Sequence, residues 1–327
     1  MKRVALVSLG VLALLLGLWA FAAPPEAPTA PRVLVFSKTK GFRHDSIPNG
    51  IAAIRELGKD GTATLFEVDA TEDASTFTDD NLKRYRAVVW LSTTGDVLDD
   101  KQQSAFERFI RAGNGFVGVH AASDTEFEWP WYAKLVGAYF KGHPDIQKAT
   151  VQVEDRTHMS TSMLPARWER TDEWYVFHEN PRANVKMLAS LDESTYKPGP
   201  LAMGDHPIAW YHEYDGGRAW YTAMGHTKES YDEPLFREHL LGGIRWAGKL
   251  ENAAASHAKP SPSAPTTAPA NAPASAGLLL GRDDVDVQKP TTGRPSGDPS
   301  LAFPFRRKSP SDTCTRRSIN GALAGEN

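Results

Sequence analysis

Residues 114–125 read Asn-Gly-Phe-Val-Gly-Val-His-Ala-Ala-Ser-Asp-Thr, a short apolar run bounded by glycine that empties into small and polar side chains. Such a run is a buried strand, and the polar residues after it lie at its carboxyl end. In an open α/β sheet that end is where ligands bind. Gly115 and Gly118 also favour a sharp corner between strand and helix, like a nucleophile elbow, which pushes one side chain out of the sheet edge. At the corner stands His120, an imidazole where a hydroxyl or thiol would be expected. This disfavours nucleophilic hydrolysis and favours proton transfer, hydrogen bonding or metal ligation.

Before this corner the chain alternates two kinds of pattern. Residues 32–37, 64–69 and 87–91 are β-rich runs. Between them, Ile47, Ile51, Ile54 and Leu57 recur at helical spacing after Ser46, and Asp99 with Gln102 forms a capping-box pattern ahead of Ala105, Phe106, Phe109 and Ile110. Strand, helix, strand, helix, strand specifies a doubly wound α/β fold with a mainly parallel sheet. The second half reads differently. It has strands at 150–154 and 185–189, a hairpin over 207–223 turning at Asp215-Gly216-Gly217, and a closing helix at 235–246.

The ends of the chain read as accessory segments. Met1-Lys2-Arg3, an apolar run to Ala20 and a small-x-small pattern at Ala20-Phe21-Ala22 predict a secretory signal peptide over residues 1–22, with an uncleaved membrane anchor as the alternative. Residues 23–30 are a short linker, and 253–327 form an Ala/Pro/Ser/Thr-rich tail too poor in apolar residues to order itself. The folded domain is then 31–252, in a secreted or periplasmic protein. Its formal net charge of −3 for the whole chain argues against nucleic acid as a partner. The single cysteine, Cys314, lies in the tail, so the domain has neither a disulfide nor a thiolate site.

Polar residues recur after the expected strands: His44 after the first, Thr94 after the third, and His120 and Asp124 after the fourth. His143, Glu173, Trp174, Trp210 and His226 follow in the second half. Glu173 is the best carboxylate for acid–base work, because Trp174 and Tyr175 beside it would desolvate it and raise its pKa. Each residue also has a plain structural alternative: a hydrogen-bonded core histidine, a helix cap at Asp124, an ion-pair partner at Glu173, a buried tryptophan. Imidazoles from separate loops could also hold a divalent metal through His44, His120 and His226, although no HxxxH or His-x-His spacing marks such a site.

Six segments together resemble one known family. They are Gly41-Phe42-Arg43-His44, Gly118-Val119-His120, Gly137 through His143, Asp172-Glu173-Trp174-Tyr175, His206-Pro207 with Trp210, and Gly225-His226-Thr227. In this order the chain resembles the trehalose-utilisation (ThuA-like) family, a branch of the class I glutamine amidotransferase-like, flavodoxin-like folds. A glutamine amidotransferase would carry cysteine at the corner with a His–Glu pair after a late strand. Here His120 replaces the cysteine, and His226 with Glu229 lies near the pair's place, so amidotransferase activity is not expected. The resemblance implies a small-molecule carbohydrate ligand, trehalose or another glycoside or a 3-keto sugar, and a sugar oxidoreductase as partner. On that reading His120, Glu173, His44 and His226 are candidate catalytic residues. Thr94, Asp124, His143, Trp174 and Trp210 are candidate substrate contacts. A non-catalytic carbohydrate-binding module is the alternative function.

Overall fold

The computed structural model describes residues 30–250 apart from Thr62, so the proposed leader, the tail and all of the linker except Ala30 lie outside the described residues. The first half contains β1 (Arg32–Phe36), α1 (Ile47–Leu57), the short β2 (Lys59–Asp60) and β3 (Ala63–Thr64), β4 (Glu67–Thr71), α2 (Asp79–Leu82), β5 (Ala87–Leu91), α3 (Asp100–Arg111) and β6 (Gly115–Val119). The second half contains α4 (Pro130–Val136), β7 (Phe140–Gly142), β8 (Gln147–Val153), β9 (Arg167–Asp172), β10 (Val176–Phe177), β11 (Lys186–Asp192), β12 (Pro207–Tyr214), β13 (Gly217–Thr222) and α5 (Pro234–Ala247).

A nine-stranded sheet in the order β4-β1-β5-β6-β13-β12-β11-β8-β9 organises this mixed α/β domain. Every residue of β5 and of β6 is buried, as expected for strands covered on both faces. The box at α3 forms as its residues predict: Asp99 accepts from the Gln102 backbone, and the Gln102 side chain closes back on Asp99.

The sheet departs from the expected mainly parallel arrangement. Strands β4, β1, β5, β6 and β13 pair in parallel, whereas β12, β11, β8 and β9 extend the sheet antiparallel. The hairpin is one cause. Asp215 and Gly216 both adopt positive φ, 48° and 91°, which closes a two-residue turn between Tyr214 and Gly217. Its second strand, β13, is too thoroughly buried to be an appendage and inserts beside β6.

Because β1, β5, β6 and β13 run the same way, the segments that follow them open on one edge. Strand β9 ends the hydrogen-bonded order, yet Trp168 and Arg170 on it bond Glu233, just before α5. The antiparallel half therefore curls back toward the parallel half, and the chain leaving β9 arrives beside the chain leaving β13.

Candidate functional site

His120 follows β6 directly, with φ 52°, a left-handed conformation uncommon for a non-glycine residue, and it opens a single 3₁₀ turn over His120–Ser123. The corner anticipated for this position is thus present. The imidazole does not reach solvent but is buried, held by a 2.7 Å hydrogen bond between its Nδ1 and the Ala223 carbonyl. That bond requires the proton on Nδ1 and leaves the Nε2 lone pair facing inward. Nε2 lies 3.1 Å from His226 Nδ1 and 3.5 Å from Glu173 Oε2. His226 Nδ1 is itself 3.0 Å from the same carboxylate oxygen. His44, from the loop after β1, completes the group, its ring centroid 4.8 Å from that of His120 and 5.1 Å from that of His226.

One donor or acceptor atom from each of these residues lies within 4.8 Å of all the others. The sequence separations are large, and a buried aspartate closes them. Asp172 Oδ1 accepts from the backbone N–H groups of Glu173 (3.0 Å) and His226 (3.1 Å), and Oδ2 accepts from Gly225 N–H (2.8 Å) and Arg170 (2.9 Å). Gly225 turns with φ 109°, and an added Cβ would stand 3.0 Å from the Tyr231 hydroxyl, so glycine is needed where the chain delivers His226. Tyr175 lies against the His120 ring with centroids 4.0 Å apart.

The electrostatics follow from this packing. Burial, reinforced by the neighbouring His120 and His226, pulls His44 down to about 3, so it is neutral at ordinary pH. Burial also pulls on His226, but its hydrogen bond and charge interaction with Glu173 outweigh that and raise it. Burial alone would raise Glu173, yet the close approach of His120 and His226 holds it well below the usual carboxylate range. The expected elevation of Glu173 is therefore reversed. Trp174, expected to desolvate it, instead turns its indole N–H to the Gln147 carbonyl at 2.8 Å. With its carboxyl held low, Glu173 is suited to accept hydrogen bonds or bear charge and not to give up a proton. Asp124 behaves in the opposite way, because burial alone pushes its carboxyl up to about 6. It lies near enough to Tyr175 and Tyr221 for its charge to raise both phenols.

Of the substrate contacts expected from the sequence, the structure brings His143 and Asp124 to this edge. His143 Nδ1 is 3.1 Å from Glu173 Oε1 and the side chain is exposed. The other three have structural placements. Thr94 is buried, accepting from Gly41 N–H at 3.1 Å and donating to the Phe42 carbonyl at 2.9 Å, which shapes the loop that carries His44. Trp174 and Trp210 are fully buried, so neither offers a face to a sugar. Glu229 is exposed, and the carboxylate beside His226 comes from Glu173 instead. Arg170 was not singled out as a site residue, and Asp172 entered only within the segment Asp172-Glu173-Trp174-Tyr175. Both lie on β9, a charged strand whose alternate residues are buried in the structure.

The domain is a mixed α/β fold whose His/Glu group lies where its parallel strands end, the edge at which open α/β sheets generally take ligands. The model of the ThuA family, described as trehalose utilisation, matches residues 32–247, and the chain belongs to that family. That membership indicates a carbohydrate-related role. Among solved structures, a ThuA-like protein from Bacteroides uniformis is similar at 26% identity, covering 69% of this chain and 95% of its own, with a TM-score of 0.58. A ThuA-like protein from Parabacteroides merdae shares the fold at 18% identity, covering 67% of this chain and 90% of its own, with a TM-score of 0.56. No curated protein matches the chain.

Proposed function

We propose that this domain is an exported enzyme of carbohydrate metabolism that moves a proton next to the carbonyl of an oxidised sugar or glycoside, in an elimination, hydration or isomerisation. The observation that carries this reading is the convergence of His44, His120, His226 and Glu173 at the sheet edge, with Asp124, a carboxyl pushed up to about 6, on the same loop as His120 and within charge range of Tyr175, which packs on that imidazole. A group of that pKa can both take and return a proton near neutral pH, whereas the low-lying Glu173 cannot. On this reading the His/Glu group receives the sugar oxygens, Asp124 transfers the proton and His143 guards the exposed side. A sugar oxidoreductase would supply the oxidised substrate. Glutamine hydrolysis is not part of the proposal, since the corner carries His120, and the likeness to doubly wound amidotransferase-like folds concerns architecture alone.

The test is proton exchange. A purified 3-keto-disaccharide incubated with the protein in D₂O is expected to gain deuterium at the carbon beside the carbonyl, followed by NMR, with or without onward cleavage. Asp124→Asn is expected to slow exchange by at least about 100-fold while changing sugar affinity less than about tenfold. Binding without exchange or turnover would leave a carbohydrate-binding module in place of an enzyme. Absence of binding would remove both.

Asp124 also predicts a pH-dependent stability. Its folded pKa lies above the unfolded value of 3.8, so the folded state holds the proton more tightly and loses stability as pH rises from about 4 to about 6. Above that window the penalty is constant. Asp124→Asn should therefore stabilise the domain by about 1 kcal/mol at pH 7.5, after allowance for solvent screening, and by almost nothing at pH 4. Urea unfolding at the two pH values measures the difference, and an equal effect at both would refute the assignment.

A further inference from the structure

The donors of His120, His226 and Glu173 stand at or near the separations of ligands around a common ion, and His44 brings the group of four to within 4.8 Å of one another. Two donors each bonded to a metal at about 2.0–2.1 Å, at angles between octahedral and tetrahedral, stand about 2.8–3.4 Å apart. The contacts here are 3.0 Å for His226–Glu173, 3.1 Å for His120–His226 and 3.5 Å for His120–Glu173. Hydrogen bonding does not account for the whole arrangement. His120 spends its proton on Ala223, so its Nε2 can only accept, as can Glu173, and both compete for the one Nδ1 of His226. His44 is 4% exposed, and its Nδ1 has no hydrogen-bond partner among the described residues.

The surroundings have the form that ligating residues require. A metal-bound imidazole characteristically donates its other N–H to a backbone carbonyl, as His120 does to Ala223. The second oxygen of Glu173 is held by His143, and the backbones of Glu173 and His226 are both pinned by Asp172. Access is one-sided: the His120 side chain is 0% exposed and that of His226 is 20% exposed, so an ion seated among them would keep a position open toward solvent.

We propose that His44, His120, His226 and Glu173 bind one divalent first-row transition-metal ion through three imidazoles and a carboxylate, leaving an open position for a ligand oxygen. The donor set favours zinc, iron, nickel or cobalt over calcium or magnesium, which prefer all-oxygen shells. The inference stands independently of the carbohydrate reading, although such an ion would polarise a sugar carbonyl if that reading holds.

The experiment uses the full chain stripped with a chelator and titrated with ZnCl₂, and separately with CoCl₂, whose visible absorption reports coordination geometry. One equivalent of each should bind with micromolar or tighter affinity, and zinc should raise the Tm. Glu173→Gln, which keeps the side-chain shape, and His226→Ala, at the exposed side, should each weaken binding by at least about 100-fold and alter the cobalt spectrum. Replacing the exposed His178 with Ala should change neither. Circular dichroism checks that each variant folds, and if His226→Ala does not, Glu173→Gln decides alone. Failure of zinc and cobalt to bind at one equivalent, or binding that survives the ligand substitutions, overturns the proposal. Tight metal binding without action on sugars would uphold this inference and refute the proposed function, and sugar exchange by a protein that binds neither zinc nor cobalt would do the reverse.

Discussion

Replacing Asp172 with Ala will lower the unfolding free energy by about 3–5 kcal/mol, the range seen when one member of a buried ion pair is removed. Asp172 is fully buried, and Arg170, its partner at 2.9 Å, has a side chain only 2% exposed. The substitution strands that guanidinium with Glu233 at 3.0 Å as its remaining carboxylate. It also removes the acceptor from three backbone N–H groups, those of Glu173, Gly225 and His226. Each buried donor left without a partner adds to the loss. Asp172 is a positioning residue, so the consequence reaches beyond stability: Glu173 and His226 lose their shared anchor, and the contact between them should loosen. Urea unfolding gives the first quantity, and the NMR titration of His226, which Glu173 raises in the intact site, gives the second. A loss under about 1 kcal/mol with an unchanged His226 titration would show that the aspartate is not the organiser of this centre.

Trp210→Ala will cost a similar amount, about 3–5 kcal/mol, and leave carbohydrate affinity unchanged. Its indole is fully buried and donates to the Val136 carbonyl at 2.8 Å. Its ring centroid lies 4.5 Å from that of Tyr221 and 5.1 Å from that of Phe177. Gly137, with φ 96°, packs so tightly that an added Cβ would come within 2.6 Å of the indole nitrogen. Truncation leaves a cavity the size of a bicyclic ring among side chains that cannot collapse into it. Unfolding titrations and sugar binding, measured on the same sample, separate packing from recognition. Intact stability with lost affinity would return Trp210 to the ligand site.

The placement of His44 and His120 was legible because parallel strands send their carboxyl ends to one edge, and apolar runs bounded by glycine mark those ends, whereas that of His226 entered through the family resemblance. The role of Glu173 was not. Its aromatic neighbours in sequence implied a raised pKa, but Trp174 faces the core, and the groups that set its charge are histidines from the segments after β6 and β13, more than fifty residues away. Strand β9 escaped detection for a related reason. Its buried positions include Arg170 and Asp172, so the inward face is ionic in part, and hydrophobic alternation cannot register it. Tryptophan was misleading in the opposite sense. A residue type suited to stacking on sugars is equally suited to filling a core, and only packing distinguishes the two uses. The mixed sheet was half visible: the turn at Asp215-Gly216 could be read locally, whereas the insertion of β13 beside β6 depends on partners a hundred residues apart.

The return of β9 toward the parallel half bears on how the chain acquires its centre. Residues 44, 120, 173 and 226 come from nearly the full length of the described chain, so closing the group requires contacts of very high sequence separation, the slowest kind to form. The parallel strands can pair before β9 swings in. The four-residue group should accordingly be one of the last features to appear during refolding, and fraying of the edge strand should be the easiest way to lose it. Amide exchange would see this directly, as faster opening at residues 167–173 than in β5 or β6. A ligand that bridges Glu173 to the histidines would then act as a clasp, slowing exchange along β9 far from any atom it touches.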